Sequence, residues 1–244
     1  MIYIIMGVSG CGKSTFGIFL SEKVSSLNSN QQPPYTHTHT HTHTHTHTHT
    51  HTHTHTHTPP SWFLVCLILF CPCVFTHQLG WPLYEGDDFH PRENIEKMSR
   101  GEALTDQDRL PWLLKLHEVI QRERSSGSDA LLVCSALKHQ YRRILLHGSK
   151  ALTSPSETDQ EIFPPASPDV FFLFLRGDYE FIYQRMVARR GHYMKADMLR
   201  SQFDTLEAPS DEENVLTLDI QRGIDDMAVE VERHLIDHRS GLPA

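Results

Sequence analysis

"GVSGCGKST", residues 7–15, is the stretch that decides the fold of this chain. It fits the pattern G-x-x-x-x-G-K-[ST] in full. The apolar run at 2–6 is typical of a buried strand, and "STFGIFLSEK" at 14–23 is typical of a helix. A glycine turn can match such a pattern by chance, but a strand before it and a helix after it argue against chance. The stretch therefore predicts a loop that binds the phosphates of a nucleotide.

The residue types of this loop suit phosphate binding. Glycines let the backbone curl until successive N–H groups face one centre, and the start of the helix adds a partial positive charge. Lys13 is placed to reach the β- and γ-phosphates, and the Ser14 hydroxyl to bind Mg²⁺. We expect the Cys11 side chain to point away from the phosphates. The predicted nucleotide-binding residues are those of the whole stretch: Gly7, Val8, Ser9, Gly10, Cys11, Gly12, Lys13, Ser14 and Thr15.

The composition indicates a globular protein without a strongly basic surface. Of the 244 residues, 39% are hydrophobic and 21% charged, and the net charge is −8. This balance argues against nucleic acids and membrane surfaces as partners, because both favour basic proteins. Five scattered cysteines make a disulfide framework unexpected. The start of the chain lacks basic residues, so we expect a strand rather than a signal peptide, and a cytoplasmic location.

Strands and helices alternate along most of the chain. Apolar runs predict strands at residues 2–6, 82–84, 130–134, 170–175 and 214–218. Helical patterns lie between or after them, at 111–124, 179–190 and 224–238. The apolar runs lack polar alternation, as expected for strands that are buried on both faces. The order predicts an α/β fold with a parallel sheet and helices on both sides, and a loop at 149–169.

Residues 24–78 differ from the rest of the chain. They contain no Asp, Glu, Lys or Arg, and they hold a His-Thr repeat at 36–58 followed by an apolar run. Val24 and Ser25 are compatible with the codons of an intron donor, the repeat with a CA microsatellite, and Gln78 with an intron acceptor. We therefore interpret the segment as a disordered insertion that is a translated intron. The alternative is a His-rich metal-binding segment in a catalytically impaired isoform.

Acidic residues follow the second predicted strand. Glu85, Asp87, Asp88 and His90 lie where the carboxyl end of a parallel strand would place them near a ligand. A phosphoryl acceptor needs a carboxylate to orient its hydroxyl group and take its proton, and Asp87 or Asp88 can do this. Adjacent residues at a strand end point in opposite directions, so only one of them would face the acceptor. The alternative is that both cap the helix that begins near Pro91.

Basic residues lie downstream in three places. Arg109 follows Thr105 and Asp106, either of which can cap a helical turn, and Arg109 is a candidate for binding a carboxylate. Lys138 and Arg142 are four residues apart after the third strand, so we expect them on one helical face. Arg185 and Arg189 share a face of a later helix, where a lid could carry them to the transferring phosphoryl group. In each case the alternative is a solvated surface charge.

Five blocks of sequence together resemble the thermoresistant-type gluconokinases. The blocks, which occur in family order, are "GVSGCGKST", "YEGDDFHPRENIEKMSRGEALTDQDRLPWL", "CSALKHQYR", "RRGHYM" and "LRSQFDTLEAP". The resemblance implies a P-loop kinase of three α/β/α layers with a five-stranded parallel sheet and a helical lid. It also implies a homodimer that uses ATP and Mg²⁺ to phosphorylate D-gluconate at its 6-hydroxyl group, feeding the pentose phosphate pathway. The alternative is a related small-molecule kinase of the shikimate type.

The patterns above, together with the resemblance, lead to a role for each candidate residue. The "GD" after the second strand favours Asp87 over Asp88 as the base. The expected catalytic residues are Lys13, Asp87, Arg185 and Arg189, and the expected gluconate-binding residues are Asp87, His90, Arg109, Lys138 and Arg142. Two features depart from the family pattern. Cys11 stands where Ser or Ala is usual, and residues 24–78 have no counterpart, since the helix after the loop leads almost directly to "LGW".

Overall fold

The computed structural model describes residues 1–29, 81–152, 166–188, 196–210 and 213–241. Its strands are β1 (Ile2–Met6), β2 (Leu83–Glu85), β3 (Ala130–Val133), β4 (Val170–Arg176) and β5 (Val215–Asp219). Its α-helices are α1 (Lys13–Ser29), α2 (Arg92–Ser99), α3 (Asp106–Ser126), α4 (His139–His147), α5 (Tyr179–Ala188), α6 (Ala196–Thr205) and α7 (Ile224–Arg239). Short 3₁₀ helices lie at Gly86–Phe89 and Gly148–Leu152. Each predicted strand and helix is present, with boundaries that differ by a few residues.

All five strands form one parallel sheet in the order β2-β3-β1-β4-β5. β1 lies at the centre, with Ile2 paired to Ala130 on one side and to Val170 on the other. Every residue of β1 and β3 is buried, which explains why their sequences are continuously apolar. The predicted five-stranded parallel sheet is therefore confirmed.

Alternate residues of β1 face two separate hydrophobic cores. Tyr3 and Ile5 pack with Phe16 and Leu20 of α1 and with α7, while Ile2, Ile4 and Met6 pack with α3 and α4. A strand with helices on both sides needs apolar residues at every position, because successive side chains point to opposite faces. The three-layer arrangement follows from this pattern.

Helix α3 begins earlier than its apolar pattern predicts. Thr105 is the N-cap, and its hydroxyl accepts from the Asp108 backbone while the Asp108 carboxylate accepts from the Thr105 backbone. This capping box starts the helix at Asp106, so that Pro111 lies inside it rather than at its first turn. The early start makes Asp106 and Arg109 part of the first turn of this helix.

The end of α1 also differs from the prediction. The sequence predicts this helix over 14–23, but it continues to Ser29. The chain is described again from Trp81, which is stacked on Tyr3 at 5.8 Å and whose carbonyl accepts from the Ser21 hydroxyl at 3.0 Å. The predicted insertion beyond Ser29 and most of the 149–169 loop lie outside the described residues. Among the described helices, none is both long and apolar enough to cross a membrane.

The strand order places the carboxyl ends of β1 and β3 side by side at one edge of the sheet, and the region beyond these two ends is called the crevice below. β1 and β3 are neighbours, and the chain leaves their carboxyl ends into the Gly-rich loop and into residues 134–138. The Gly7 N–H donates to the Ser135 carbonyl at 3.2 Å, which ties these two segments together. Open parallel sheets bind ligands at such an edge, so the candidate site is expected there.

Candidate active site

The loop after β1 has the backbone that its glycines allow. Gly7, Gly10 and Gly12 have φ angles of 139°, 82° and 104°, which other residues rarely adopt. A Cβ atom at Gly10 would lie only 2.5 Å from Cγ of Met186 on α5, so this glycine also permits close packing. α1 begins at Lys13, directly after these turns, and its N-terminus faces the loop.

Lys13 and Cys11 point to opposite sides of this loop. The Lys13 ammonium group donates to the carbonyls of Gly7 and Val8, each at 3.0 Å, so it lies across the loop. Cys11 is only 2% exposed and packs in the core. Lys13 therefore lies against the loop, and the Cys11 thiol is buried in the core. Their roles toward a nucleotide stay predictions.

Ser14 is paired with an acidic residue at the end of β2. Its hydroxyl donates to Oε2 of Glu85 at 3.1 Å. Burial raises the pKa of Glu85, and the nearby carboxylates of Asp87 and Asp88 raise it further, while the Ser14 bond and Lys13 oppose the shift. The carboxyl groups and Lys13 are thus close enough to influence one another electrostatically.

The Ser14–Glu85 pair fits a magnesium ion. Mg²⁺ prefers oxygen ligands and is usually bound by one or two protein groups together with substrate phosphates. A hydroxyl and a carboxylate already within hydrogen-bond distance offer such ligands beside the loop. In the described part of the chain no three His, Cys, Asp or Glu side chains are grouped as a metal site. Glu85 was not among the predicted metal ligands, although its place two residues before Asp87 was a usable signal.

Asp87 and Asp88 lie on the 3₁₀ turn Gly86–Phe89 rather than on a strand end. The assumption that they point in opposite directions along a strand therefore does not hold, and both are exposed. The capping alternative is also not observed, because α2 has Pro91 as its N-cap and no side-chain bond there.

The turn that carries these aspartates is held firmly. The Trp112 indole N–H donates to the Gly86 carbonyl at 2.7 Å in a buried bond. A Cβ atom at Gly86 would lie 2.5 Å from the Val133 carbonyl oxygen, so only glycine fits against β3. The turn is therefore positioned by the core, while its two exposed carboxylates lie close enough to Glu85 to raise its pKa.

His90 forms one wall of the crevice. Its ring stacks on Trp112 with centroids 4.3 Å apart, and its Nδ1 lies 3.3 Å from Nδ2 of the buried Asn94. Burial lowers the pKa of His90; Asp87 raises it and Arg109 lowers it further. The neutral imidazole is favoured near neutral pH, so His90 is suited to bind hydroxyl groups rather than to attract charge.

Arg109 and Lys138 meet at the far end of the crevice. Lys138 donates to both carboxylate oxygens of Asp106, at 2.9 and 2.7 Å, and the Tyr141 hydroxyl donates to the same carboxylate. Both cations lie over the Tyr141 ring, at 5.9 Å for Arg109 and 5.6 Å for Lys138. The Lys138 bond, followed by the Tyr141 bond, lowers the pKa of Asp106. Two cations and a phenol thus surround one carboxylate.

The prediction that Arg142 binds the substrate is wrong. Arg142 is only 1% exposed, and its guanidinium donates to both carboxylate oxygens of Glu213, at 2.5 and 3.0 Å. It also donates to the carbonyls of Ala136, Leu137 and Glu207. Arg142 is four positions after Lys138, but Lys138 is the N-cap of α4 and Arg142 lies inside the helix. The side chain is turned into the protein, where it joins α4 to the segment before β5.

The two predicted lid arginines differ in what the structure shows. Arg185 is exposed on α5, and its guanidinium lies 5.4 Å from the centroid of the Phe181 ring. This conformation holds it along the outside of the helix. Arg189 lies outside the described residues.

Sequence reasoning missed Gln202 on α6. Its side-chain oxygen accepts from the Ser9 backbone N–H at 2.6 Å, and its amide group donates to the Ser9 hydroxyl at 3.0 Å. The two residues are 193 positions apart. No local pattern links them, although Gln202 lies in the block "LRSQFDTLEAP" that carries the family resemblance.

The comparisons with known proteins point to one family. A rat protein named "Probable gluconokinase" is 40% identical over 158 residues, which are 65% of this chain and 85% of the rat protein. The "Thermoresistant gluconokinase" of Escherichia coli K12 is 39% identical over 151 residues, 62% of this chain and 76% of that protein. The crystal structure of a gluconokinase from Sinorhizobium meliloti 1021 has 25% identity and a TM-score of 0.57, covering 96% of this chain and 94% of its own. No protein-family model matches the chain.

The identities extend over most of the length of these relatives, and the structural match covers the five-stranded parallel sheet with its Gly-rich loop. The chain belongs to the gluconokinase family.

Proposed function

We propose that the protein transfers the γ-phosphoryl group of ATP to the 6-hydroxyl group of D-gluconate. The observation that carries this proposal is the order of groups along the crevice. The phosphate loop and Ser14 lie at one end, Asp87 and His90 follow, and Arg109 and Lys138 lie at the other end. Gluconate has a carboxylate at C1 and a primary hydroxyl at C6, so this order of groups matches its two ends.

The transfer step is assigned to Asp87 and Lys13. Asp87 accepts the proton of the 6-hydroxyl group while the oxygen of that group attacks the γ-phosphorus. The bond between the γ-phosphorus and the β,γ-bridging oxygen breaks, and ADP leaves. Lys13 leaves its carbonyl partners on the loop and stabilises the charge on the β- and γ-phosphates. Mg²⁺, held by Ser14 and Glu85 together with phosphate oxygens, would supply further neutralisation of that charge.

The far end of the crevice is assigned to the gluconate carboxylate. The carboxylate of Asp106 already accepts hydrogen bonds from Lys138 and from the Tyr141 hydroxyl group. Arg109 lies over the Tyr141 ring. A substrate carboxylate can bind the same cations, because Lys138 and Arg109 offer more donors than Asp106 uses. His90 lies between the two ends and is proposed to bind the hydroxyl groups of the carbon chain.

The remaining assignments stay predictions. Arg185 is proposed to contribute positive charge to the transferring phosphoryl group, for which it has to leave Phe181. The homodimer is an expectation from the family resemblance, and the cytoplasmic location and the role of Arg189 are expectations from the sequence.

An assay of purified protein tests the function. ADP release is measured with ATP, Mg²⁺ and either D-gluconate or shikimate, and ³¹P NMR identifies the phosphorylated carbon. We expect turnover on gluconate with phosphate at C6 and none on shikimate. Faster turnover on shikimate, or none on either acid by the full chain and by a variant without residues 24–78, would overturn the proposal.

A further inference from the structure

Gln202 makes a two-point contact with the nucleotide-binding loop. Its amide group accepts from the backbone and donates to the side chain of one residue, Ser9, at 2.6 and 3.0 Å. A planar amide that makes both bonds at once restrains the position of Ser9 as well as the orientation of its peptide group. A single hydrogen bond would let Ser9 rotate about the axis of that bond.

The loop has a physical need for such a restraint. Ser9 lies between Gly7 and Gly10, whose φ angles of 139° and 82° are accessible because glycine lacks a Cβ atom. The same freedom makes glycine costly to order, so a loop built on it samples other conformations unless something holds it. Phosphate binding depends on N–H groups that already face one centre.

Helix α6 is anchored well enough to provide this restraint. Just after its last residue, the Glu207 N–H donates to the Leu137 carbonyl at 2.9 Å, and the His139 N–H donates to the Glu207 carboxylate at 2.6 Å. Arg142, itself fixed by the buried Glu213, donates to the Glu207 carbonyl at 3.1 Å. Gln202 therefore projects from a helix whose end is fastened to the segment that follows β3.

We propose that Gln202 is a positioning residue that holds the loop in its phosphate-binding conformation through Ser9. The inference rests on the proposed function, and it adds a residue from the far end of the chain to the ATP site. It requires a neutral amide at position 202. A carboxylate could not donate to the Ser9 hydroxyl group and would bring a negative charge to the phosphate-binding loop.

Three single variants, one double variant and one control variant test the inference. Their affinity for ATP is measured by direct titration with a fluorescent ATP analogue, which does not depend on gluconate turnover. Gln202→Ala should weaken ATP binding about tenfold, as loss of two hydrogen bonds predicts. Gln202→Glu should weaken it more, about 10²-fold. Ser9→Ala keeps the backbone bond and should weaken binding about threefold. The double variant Ser9→Ala/Gln202→Ala should bind no more weakly than Gln202→Ala.

Asp204→Asn, at an exposed position of the same helix, serves as the matched control and should bind like the parent. Steady-state kinetics should show a raised KM for ATP in Gln202→Ala with the KM for gluconate unchanged. Parental or tighter ATP binding by Gln202→Ala would overturn the inference, and so would equal losses for both substrates. If the parent binds ATP but does not phosphorylate gluconate, the proposed function fails, while the titrations still decide the role of Gln202.

Discussion

The two ends of the crevice are built in different ways. The nucleotide end comes mainly from one continuous stretch, residues 7–15, whose conformation follows from its own glycines and the helix it begins. The acceptor end is assembled from a 3₁₀ turn, the start of α3 and the start of α4, which are far apart in sequence. A continuous motif carries its geometry within itself, whereas an assembled site depends on which way each side chain turns after the elements have packed.

The largest expected effect is at the nucleotide end. Lys13→Ala should lower kcat by about 10³-fold, because the lysine is placed where charge builds up in the transition state. The fold should remain intact, since within the described part of the chain the side chain donates only to the carbonyls of Gly7 and Val8. Steady-state kinetics together with a thermal unfolding curve measure both quantities. A kcat near that of the parent would refute the assignment of the loop.

Arg142 tests the comparison between the two ends of the crevice in another way. It was predicted at the acceptor end, but its contacts are those of a residue that stabilises the fold. Arg142→Met should lower the free energy of unfolding by about 3–5 kcal/mol, since the Glu213 carboxylate is left buried without its partner. The double variant Arg142→Met/Glu213→Met should recover much of this loss, because a buried ion pair can be replaced by apolar groups.

Urea unfolding of the single and double variants gives these free energies. If Arg142 bound gluconate after all, the double variant would be stable but would show a strongly raised KM for gluconate. We expect that KM to stay within about threefold of the parent value, as for a residue that touches no substrate.

These cases show what can be predicted from the sequence. The strands, their parallel direction and the phosphate loop could be predicted, because they follow from apolar runs, from the alternation of strands with helices and from a glycine motif along the chain. Lys138 and Arg142 have the same charge and are four positions apart, yet one lies at the crevice and the other in the core. Their difference depends on Glu213, a partner 71 residues from Arg142, and spacing along one helix carries no information about it.

Asp87 and Asp88 test the assembled end next. Asp87→Asn should lower kcat by about 10²-fold with little change in ATP binding, because asparagine keeps the size of the side chain but cannot accept the proton. Asp88→Asn is the matched control, since it alters the neighbouring exposed carboxylate on the same turn. Steady-state kinetics on both variants decide the assignment. Loss of activity in Asp88→Asn alone would make Asp88 the base, and loss in neither would leave catalysis to positioning and charge.

Lys138 should affect binding rather than chemistry. Lys138→Met should raise the KM for gluconate about tenfold and leave the KM for ATP unchanged, because one charge-assisted hydrogen bond to the carboxylate is lost. Lys115→Met is the control, as Lys115 is exposed on α3 and paired with Glu118. A substrate analogue without the carboxylate should bind equally to the parent and to Lys138→Met. If the KM for ATP rises instead, Lys138 belongs to the nucleotide end and the proposed order of groups is wrong.

The smallest expected effect on catalysis comes from the largest change, removal of residues 24–78. The structure brings both sides of this segment together, because the Ser21 hydroxyl on α1 donates to the Trp81 carbonyl at 3.0 Å. Without the segment, only Leu79 and Gly80 separate Lys23 from Trp81. Three peptide steps reach at most about 10 Å. Ser21, two residues before Lys23, already bonds to Trp81, so a connection of this length suits the two sides of the segment.

The junction also suits the end of a helix. Leu79 would continue α1 by one residue, and Gly80 can adopt the left-handed conformation that commonly follows a helix. Shortening the connection lowers the entropy cost of closing it by about 2 kcal/mol, so the variant should melt at a higher temperature with kcat and both KM values unchanged. Calorimetry and the gluconate assay on the full chain and the deletion variant measure this. A deletion variant that does not fold would show that residues 24–78 are structural. The contact between Ser21 and Trp81 would then depend on this segment, and so would the placement of the strands before and after it.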